Sequence, residues 1–226
     1  MPVAVIADAH LGGPGGGAEP LVEQLEALPE TECERLVLLG DLFQAWIGFE
    51  RFETDDVRQV VAALRRLRAA GLPIHYVEGN RDFFLDKSPY ADAFTTLGTE
   101  FAFETAGVRY LAVHGDGLDE RDRQYHLWRR LSKSAPTRFI VGHVPRRFAQ
   151  HLVESTEERL SYTNLEHKRE IPDDVVRRYG EKRLAEGHDV LLLGHFHEPR
   201  HYEVEGGEVR ILDAWFESRR VEWLPP

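Results

Sequence analysis

Five short apolar runs, each followed by a glycine or a polar residue, place the strongest constraint on the fold. They are VAVIAD (residues 3–8), RLVLLGD (35–41), IHYVEGN (74–80), VRYLAVHGD (108–116) and DVLLLGH (189–195). Runs of this length and composition are typical of largely buried strands. Helix-like segments, EPLVEQLEALP and TDDVRQVVAALRRLRAAG, lie between the early runs. This alternation of strands and helices predicts an α/β architecture.

The C-terminal part has a different pattern. RHYEVEGGEVRILDA is typical of a hairpin that turns at Gly206 and Gly207, and SRRVEWL predicts a further strand. We therefore expect two sheets rather than one parallel sheet throughout.

A long segment between the fourth and fifth apolar runs lacks strand patterning. It shows helical spacing instead, as in DRQYHLWRRL and DDVVRRYGEKRLAEG. The pattern predicts a single domain over residues 1–226 with a helical insertion, or lid, over about residues 119–188.

Composition narrows the class of protein. The 226 residues are 42% hydrophobic, which suits a domain with a sizeable core. Cys33 is the single cysteine, which excludes an internal disulfide framework and a paired-cysteine zinc motif and predicts a reducing, cytoplasmic setting. The N-terminal MPVAVIADAH has no basic region and reaches Asp8 early, so we expect neither a signal peptide nor a spanning helix.

Net charge argues against nucleic-acid binding, because the chain carries a formal charge of −11. The charge is unevenly distributed: residues 119–189 hold 15 of the 28 Lys and Arg and 13 of the 39 Asp and Glu, so this segment is +2 and the remainder −13. Either this region is helical with solvated mixed charge, or it is a basic lid over an acidic body. The sequence makes no prediction of the oligomeric state.

Polar side chains suited to metal binding stand directly after the five apolar runs. They are Asp8, His10, Asp41, Asn80, His114, His195 and His197. Because ligands gather at the carboxyl ends of strands in an α/β sheet, these side chains are predicted to converge. Two carboxylates, one amide and four imidazoles suit manganese, iron or zinc rather than calcium. Seven ligands fit two ions about 3.5–4 Å apart that share a carboxylate.

Each motif has a structural interpretation when it is taken alone. The Gly-Asp pair at Asp41 is a common helix cap or turn, and His114 could be a hydrogen-bonded core histidine. The Gly-His-x-His motif at His195 and His197 is stronger, because alternate residues at a strand end face one side. The five motifs together, in this order, favour a shared metal site.

The order Asp-x-His, Gly-Asp, Gly-Asn-x-Asp, His and Gly-His-x-His resembles the calcineurin-like metallophosphoesterase superfamily. The resemblance implies a two-sheet β-sandwich flanked by helices, with two metals and an activated water as the nucleophile. One metal would be held by Asp8, His10, Asp41 and His197, and the other by Asp41, Asn80, His114 and His195. Asp41 would be the bridging ligand.

Arg81 follows the predicted ligand Asn80, at a position where many superfamily members carry histidine. An arginine is a poor general acid at neutral pH, but its planar fork of donors can clamp phosphate oxygens. A substrate with a good leaving group needs less acid assistance, so Arg81 favours a phosphoanhydride. The alternative is that Arg81 only pairs with Asp82 or Asp86.

GNRDF is similar to the corresponding segment of the UDP-2,3-diacylglucosamine hydrolase family of lipid A synthesis. GDLFQAWIG (residues 40–48), HGD (114–116) and LDAWFESRRVEWL resemble the same family. The resemblance implies cleavage at the α-phosphorus of a nucleotide-sugar lipid to give UMP and 2,3-diacylglucosamine 1-phosphate. It also implies manganese as the usual metal, and the basic amphipathic helices suggest peripheral contact with the inner membrane surface.

Site roles follow from this resemblance. The predicted catalytic residues are Arg81 and His114. The predicted substrate-binding residues are Asn80, Arg81, Asp122, Tyr125, Trp128, Ser161, Asn164, Lys168 and His195. The apolar residues of the insertion would grip acyl chains, or would form the packing face of a helical subdomain: Tyr125, Leu127, Trp128, Leu131, Phe139, Ile140, Val144 and Phe148.

Several alternatives stay open. LSYTNLEHK matches the family's substrate segment only loosely, which leaves a related enzyme acting on a soluble nucleotide conjugate or phosphodiester. Gly13-x-Gly15-x-x-Ala18 fits a dinucleotide fingerprint and supports a nucleotide-binding oxidoreductase, although its first glycine comes late after the strand. A non-catalytic metal-binding scaffold is a third class. VGHV copies the Gly-His pair without a second histidine, so His143 is assigned no metal role.

Overall fold

The computed structural model, which describes residues 2–145, 148 and 171–225, contains two five-stranded sheets with parallel strands at their centres. The strands are β1 (Val3–Ile6), β2 (Arg35–Leu38), β3 (Trp46–Ile47), β4 (Ile74–Val77), β5 (Asp82–Phe83), β6 (Thr96–Gly98), β7 (Glu100–Thr105), β8 (Val108–Val113), β9 (Val190–Leu193), β10 (Arg200–Val204), β11 (Gly207–Ile211) and β12 (Glu222–Leu224). The first sheet has the order β12-β1-β2-β4-β6, and the second has the order β10-β11-β9-β8-β7. Strands β3 and β5 form a separate two-stranded pair.

The helices are α1 (Glu19–Ala27), α2 (Asp55–Ala69), α3 (Arg123–Ser132), α4 (Ala135–Gly142), α5 (Asp173–Leu184) and α6 (Trp215–Ser218). Helix α2 shows how the sequence sets their limits. The Thr54 side chain accepts a hydrogen bond from the Val57 amide, two aspartates stand in the first turn and arginines in the last. These residues satisfy a free N–H group and oppose the helix dipole at both ends.

Register brings the carboxyl ends of the central strands to one edge. In the first sheet Leu38 is the partner of both Ile6 and Tyr76. In the second sheet Val113 lies opposite Leu193. The residues that follow these positions along the chain therefore leave each sheet side by side.

The two sheets share one apolar layer and are covered by helices on their outer faces. Val5 and Val37 of the first sheet pack with Ala112 and Leu192 of the second. On the outer face of the first sheet, core residues such as Leu36 pack with α1 and α2. Helix α5 covers the other outer face through residues such as Val176 and Leu184. The predicted two-sheet α/β sandwich flanked by helices is confirmed.

Two details of the C-terminal half bear on the sequence predictions. The predicted hairpin is confirmed, since Val204 pairs with Gly207 across an antiparallel turn. Helices α3, α4 and α5 lie between β8 and β9 along the chain, within the segment predicted to be a helical insertion. Residues 146–147 and 149–170 lie outside the described residues, and the single domain with its lid over about residues 119–188 stays a prediction.

Candidate metal centre

Backbone geometry turns the predicted ligands out of the strand ends. Five residues have left-handed backbone angles, with φ of 51° at Asp8, 45° at His10, 51° at Asp41, 68° at His195 and 61° at His197. They make up five of the nine non-glycine residues with positive φ in the described chain. This conformation costs about 1–2 kcal/mol per L-residue. Its concentration at the one end of the sandwich where strands of both sheets stop is typical of a functional site.

Asp8, His10 and His197 form the first group of candidate ligands. Their donor atoms all lie within 4.8 Å of one another. Asp8 Oδ1 is 3.5 Å from His10 Nε2 and 3.3 Å from His197 Nε2, and the two Nε2 atoms are 3.0 Å apart. Two imidazoles and a carboxylate therefore point toward one place.

Asp8, Asp41 and His114 form the second group. His114 Nε2 is 3.6 Å from Asp41 Oδ2 and 3.3 Å from Asn80 Oδ1. The Nδ1 atom of His114 is 2.9 Å from the Leu39 carbonyl, which fixes the proton on Nδ1 and leaves Nε2 as the ligand atom. The His195 ring lies 5.3 Å from the His114 ring, between centroids. All seven predicted ligands are thus brought to one edge.

Donor chemistry at this edge fits divalent metal ions. Asp8 Oδ1 and Asp41 Oδ2 are buried and accept no hydrogen bond within the described part of the chain. A buried carboxylate oxygen without a donor is costly unless a cation balances it, and imidazole nitrogens lie next to both of these oxygens. The two groups share Asp8. The assignment of Asp41 as the bridging ligand stays a prediction.

The charges at the site favour binding of either a proton or a metal cation at the buried carboxylates and imidazoles. Burial opposes ionisation of Asp8, but His114, His10 and His197 hold the pKa of its carboxyl well below the usual range. Burial lowers the pKa of His10 to about 4. Burial acts in the same direction on His114, but Asp41 and Asp8 outweigh it and raise the pKa of this imidazole to about 10. Ionised carboxylates that draw a proton onto His114 would bind a divalent cation in its place.

Comparison with known proteins identifies the family. The family model described as calcineurin-like phosphoesterase matches residues 1–199. The chain belongs to this family. The phosphoesterase is 31% identical over 237 residues to a protein of Edwardsiella ictaluri, which covers 95% of this chain and 85% of the relative. It is 34% identical over 198 residues to a protein of Marinobacter nauticus, with coverage of 84% and 79%. Both relatives are named UDP-2,3-diacylglucosamine hydrolase.

A solved structure shows the same fold. A hypothetical protein from Pyrococcus horikoshii OT3 superimposes with a TM-score of 0.52 at 12% identity, covering 99% of this chain and 86% of the other. At this identity the likeness concerns the fold alone.

Arg81 of the phosphoesterase lies against the predicted bridging carboxylate. Its side chain is 2% exposed, its Nε is 3.3 Å from Asp41 Oδ2, and its Nη1 donates to the Gln44 carbonyl at 3.1 Å. The Arg81 amide also donates to Asp41 Oδ1 at 3.0 Å. This pairing differs from the one with Asp82 or Asp86 considered above. Arg81 orients Asp41, and its predicted phosphate contact is not tested by this geometry.

Two residues at the centre were not predicted as site residues. Asp82 Oδ2 accepts the amides of Gly79 at 2.7 Å and Asp41 at 3.2 Å, so it joins two ligand loops. Burial, together with Asp41, raises the pKa of Asp82 to about 7. The Phe216 ring packs edge-on to His10 and His197, with centroids 5.5 and 5.0 Å away. Asp82 belongs to the Gly-Asn-x-Asp motif and could have been found there, whereas Phe216 carries no ligand chemistry to indicate it.

The predicted substrate residues of the insertion are placed in part. Asp122 is the N-cap of α3, where its Oδ1 accepts the Tyr125 amide at 2.9 Å. The Tyr125 hydroxyl donates to Asp116, and Trp128 is 48% exposed. Ser161, Asn164 and Lys168 lie outside the described residues. His143, at the end of α4, has its Nδ1 2.6 Å from the Phe139 carbonyl and lies in neither candidate ligand group.

The dinucleotide alternative meets an obstacle at α1. The Ala18 amide, which opens this helix, donates to Asp56 Oδ1 at 2.9 Å. A carboxylate therefore stands where a pyrophosphate would bind. A dinucleotide site would also need an acidic residue for the ribose, and Asp41, the acid that follows the second apolar run, lies beside His114 instead. The geometry does not support an oxidoreductase.

Backbone strain at Asp41 leads to a stability prediction. Asp41→Gly and Asp41→Ala both remove the carboxylate, but only glycine adopts a φ of 51° without strain. We expect Asp41→Gly to be more stable than Asp41→Ala by about 1 kcal/mol in urea unfolding of the metal-free protein. The same two substitutions at Asp92, in a short 3₁₀ helix, should give the opposite order. Equal stabilities at position 41 would contradict the strain argument.

Proposed function

We propose that this phosphoesterase hydrolyses the phosphoanhydride of UDP-2,3-diacylglucosamine at the α-phosphorus, giving UMP and 2,3-diacylglucosamine 1-phosphate. The observation that carries the proposal is the pair of overlapping carboxylate and imidazole groups where strands of both sheets end. Such paired sites suit in-line displacement at phosphorus. The names of the relatives support the choice of substrate.

Two divalent transition-metal ions, Mn²⁺ in this proposal, fit the mixed nitrogen and oxygen donors. The ligands would be Asp8, His10, Asp41, Asn80, His114, His195 and His197. When bound, the ions would polarise the phosphoryl oxygens and activate a water. The protein's own contribution is to fix its donor atoms: the Leu39 carbonyl sets the tautomer of His114, and Arg81 orients Asp41.

Arg81 has a second role in this proposal. Its guanidinium carries five N–H groups, of which one on Nη1 donates to the Gln44 carbonyl, while Nε lies within ion-pair distance of Asp41 Oδ2. We assign its other N–H groups to the phosphate oxygens of the substrate. A fixed guanidinium beside the predicted bridging carboxylate would hold the diphosphate without taking part in proton transfer.

Helices α3 and α4 present an exposed apolar surface that we relate to the acyl chains of the substrate. Leu127 and Leu131 are each 57% exposed, and Phe139 and Ile140 are each 67% exposed. No helix in the described parts of the chain is long and apolar enough to cross a bilayer. We assign this surface to acyl chains at the cytoplasmic face of the inner membrane, in peripheral contact.

A product assay tests the reaction. With Mn²⁺ we expect UMP release from UDP-2,3-diacylglucosamine, and chelation by EDTA should abolish it until Mn²⁺ is restored. UDP-N-acetylglucosamine serves as the matched substrate without acyl chains. Release of UMP from both substrates alike would favour the soluble nucleotide conjugate. Metal binding without hydrolysis of any of these, or of a simple phosphodiester, would favour a non-catalytic scaffold.

Arg81→Lys tests the phosphate contact. Lysine keeps the charge but loses the planar fork, so kcat/KM with the diphosphate substrate should fall roughly tenfold or more. Arg58→Lys, at an exposed position of α2, is the control and should leave kcat/KM unchanged. If Arg81→Lys also keeps the wild-type rate, Arg81 does not hold the phosphate.

Charge on the apolar surface tests membrane contact. Leu127→Glu combined with Leu131→Glu should weaken sedimentation with phosphatidylcholine vesicles that contain phosphatidylglycerol, because both changes remove apolar area and add like charge. Gln59→Glu adds a negative charge at an exposed position of α2 and should have little effect. Undiminished vesicle binding by the double variant would place membrane contact elsewhere.

A further inference from the structure

Helix α3 turns a polar face toward the metal centre and an apolar face outward. Tyr125, Arg129 and Lys133, the last at the C-cap, follow one another at intervals of four residues and therefore share one face. All three contact the loops at the metal centre. On other faces of the helix, Leu127 and Leu131 are each 57% exposed. This arrangement is the reverse of an ordinary surface helix, which buries its apolar face.

Asp116 joins α3 to the loop that follows β8. The Asp116 side chain is 4% exposed and stands two residues after His114. Its Oδ2 accepts the Tyr125 hydroxyl and, at 2.7 Å, the Arg129 Nε. Hydrogen bonds to a buried carboxylate are strong. Leaving a buried carboxylate without its donors costs more free energy than leaving a buried neutral group without a partner.

Lys133 joins α3 to the loop that follows β4. Its Nζ donates to the Gly79 carbonyl at 2.9 Å and lies 3.7 Å from Glu78 Oε2. The Gly79 carbonyl belongs to the peptide that leads into Asn80. The Gly79 amide is held from the other side by Asp82, so this turn is fixed at both ends.

We infer that Asp116, Arg129 and Lys133 are positioning residues through which α3 braces the two loops that present His114 and Asn80. The inference rests on the proposed metal-dependent function and assigns part of the metal affinity to a helix outside the sandwich. Groups that hydrogen-bond metal ligands directly are worth about 10- to 100-fold in metal affinity, and we expect a brace one contact further out to act at the low end of that range. Coupling between two equilibria is reciprocal. If docking of α3 raises the affinity for metal by a given factor, metal binding must raise the docking equilibrium constant of α3 by the same factor.

Hydrogen exchange and Mn²⁺ titration of the full chain test the brace. In wild-type protein, Mn²⁺ should slow amide exchange of residues 123–132. Asp116→Asn and Arg129→Met should each speed exchange there in the absence of metal and weaken Mn²⁺ binding, measured by calorimetry, by about tenfold. The central strands should keep their exchange rates. Lys133→Met should weaken Mn²⁺ binding in the same direction.

Matched controls separate the brace from general effects of charge. Asp119→Asn lies in the same loop as Asp116, and Arg130→Met removes the neighbouring, exposed arginine of α3; both should keep wild-type exchange and Mn²⁺ affinity. If Asp116 and Arg129 act through each other, the double variant should weaken Mn²⁺ binding by less than the product of the two single effects.

Two results would overturn the inference. One is wild-type Mn²⁺ affinity in both Asp116→Asn and Arg129→Met, whether or not α3 exchanges faster; the other is weaker Mn²⁺ binding in these variants with α3 exchange unchanged. Arg129 is partly exposed, so Arg129→Met carries the test if Asp116→Asn does not fold by circular dichroism. A wild-type chain that binds Mn²⁺ but releases no UMP would defeat the proposed reaction while both measurements still tested the brace.

Discussion

The structure depends on two buried carboxylates, Asp8 and Asp41, that meet where the two sheets end. Each has an oxygen without a hydrogen-bond donor in the described chain, and each faces imidazole nitrogens. Buried negative charge is tolerated only when it is balanced, so the fold must bring cations or protons to this place. The parallel strands of both sheets bring the other predicted ligands to the same end of the sandwich, and within each sheet the register makes neighbouring strands end together. The apolar layer between the sheets fixes that register.

Holding the ligands in position has a cost that the sandwich offsets. Left-handed backbone at Asp8, His10, Asp41, His195 and His197 would relax in an isolated loop. Here each residue follows a strand that is buried on both faces, which leaves the chain little freedom to relieve the strain. Asp82 adds a further restraint by accepting amides from two ligand loops. Part of the folding free energy thus offsets the backbone strain and holds the donor atoms in position before any ligand binds, as expected of a preorganised site.

The sequence is sufficient to predict the sandwich and the convergence of the polar residues that follow its strands, since strand patterning and the polar residue after each strand are local signals. The contact between the Arg81 side chain and Asp41 could not be predicted from the sequence, because it depends on how two loops pack and not on the spacing of residues. Asp116 was visible in the HGD segment, but its partners lie on a helix nine and thirteen residues further on. Phe216 reaches His10 and His197 from the far end of the chain, and no periodicity indicates such a contact.

The two faces of α3 link the lipid side of the proposal to its metal side. Tyr125, Arg129 and Lys133 dock the helix, and Leu127 and Leu131 face outward, so one rigid element carries both surfaces. An acyl chain or a membrane that binds the outward face of docked α3 stabilises the docked state. By linkage, binding at this face must then also raise the affinity of the centre for metal. The gain equals the part of the binding free energy that depends on α3 being docked. A soluble substrate without acyl chains would not supply this stabilisation. The preference for an acylated substrate would therefore arise at the metal loops as well as at the lipid surface.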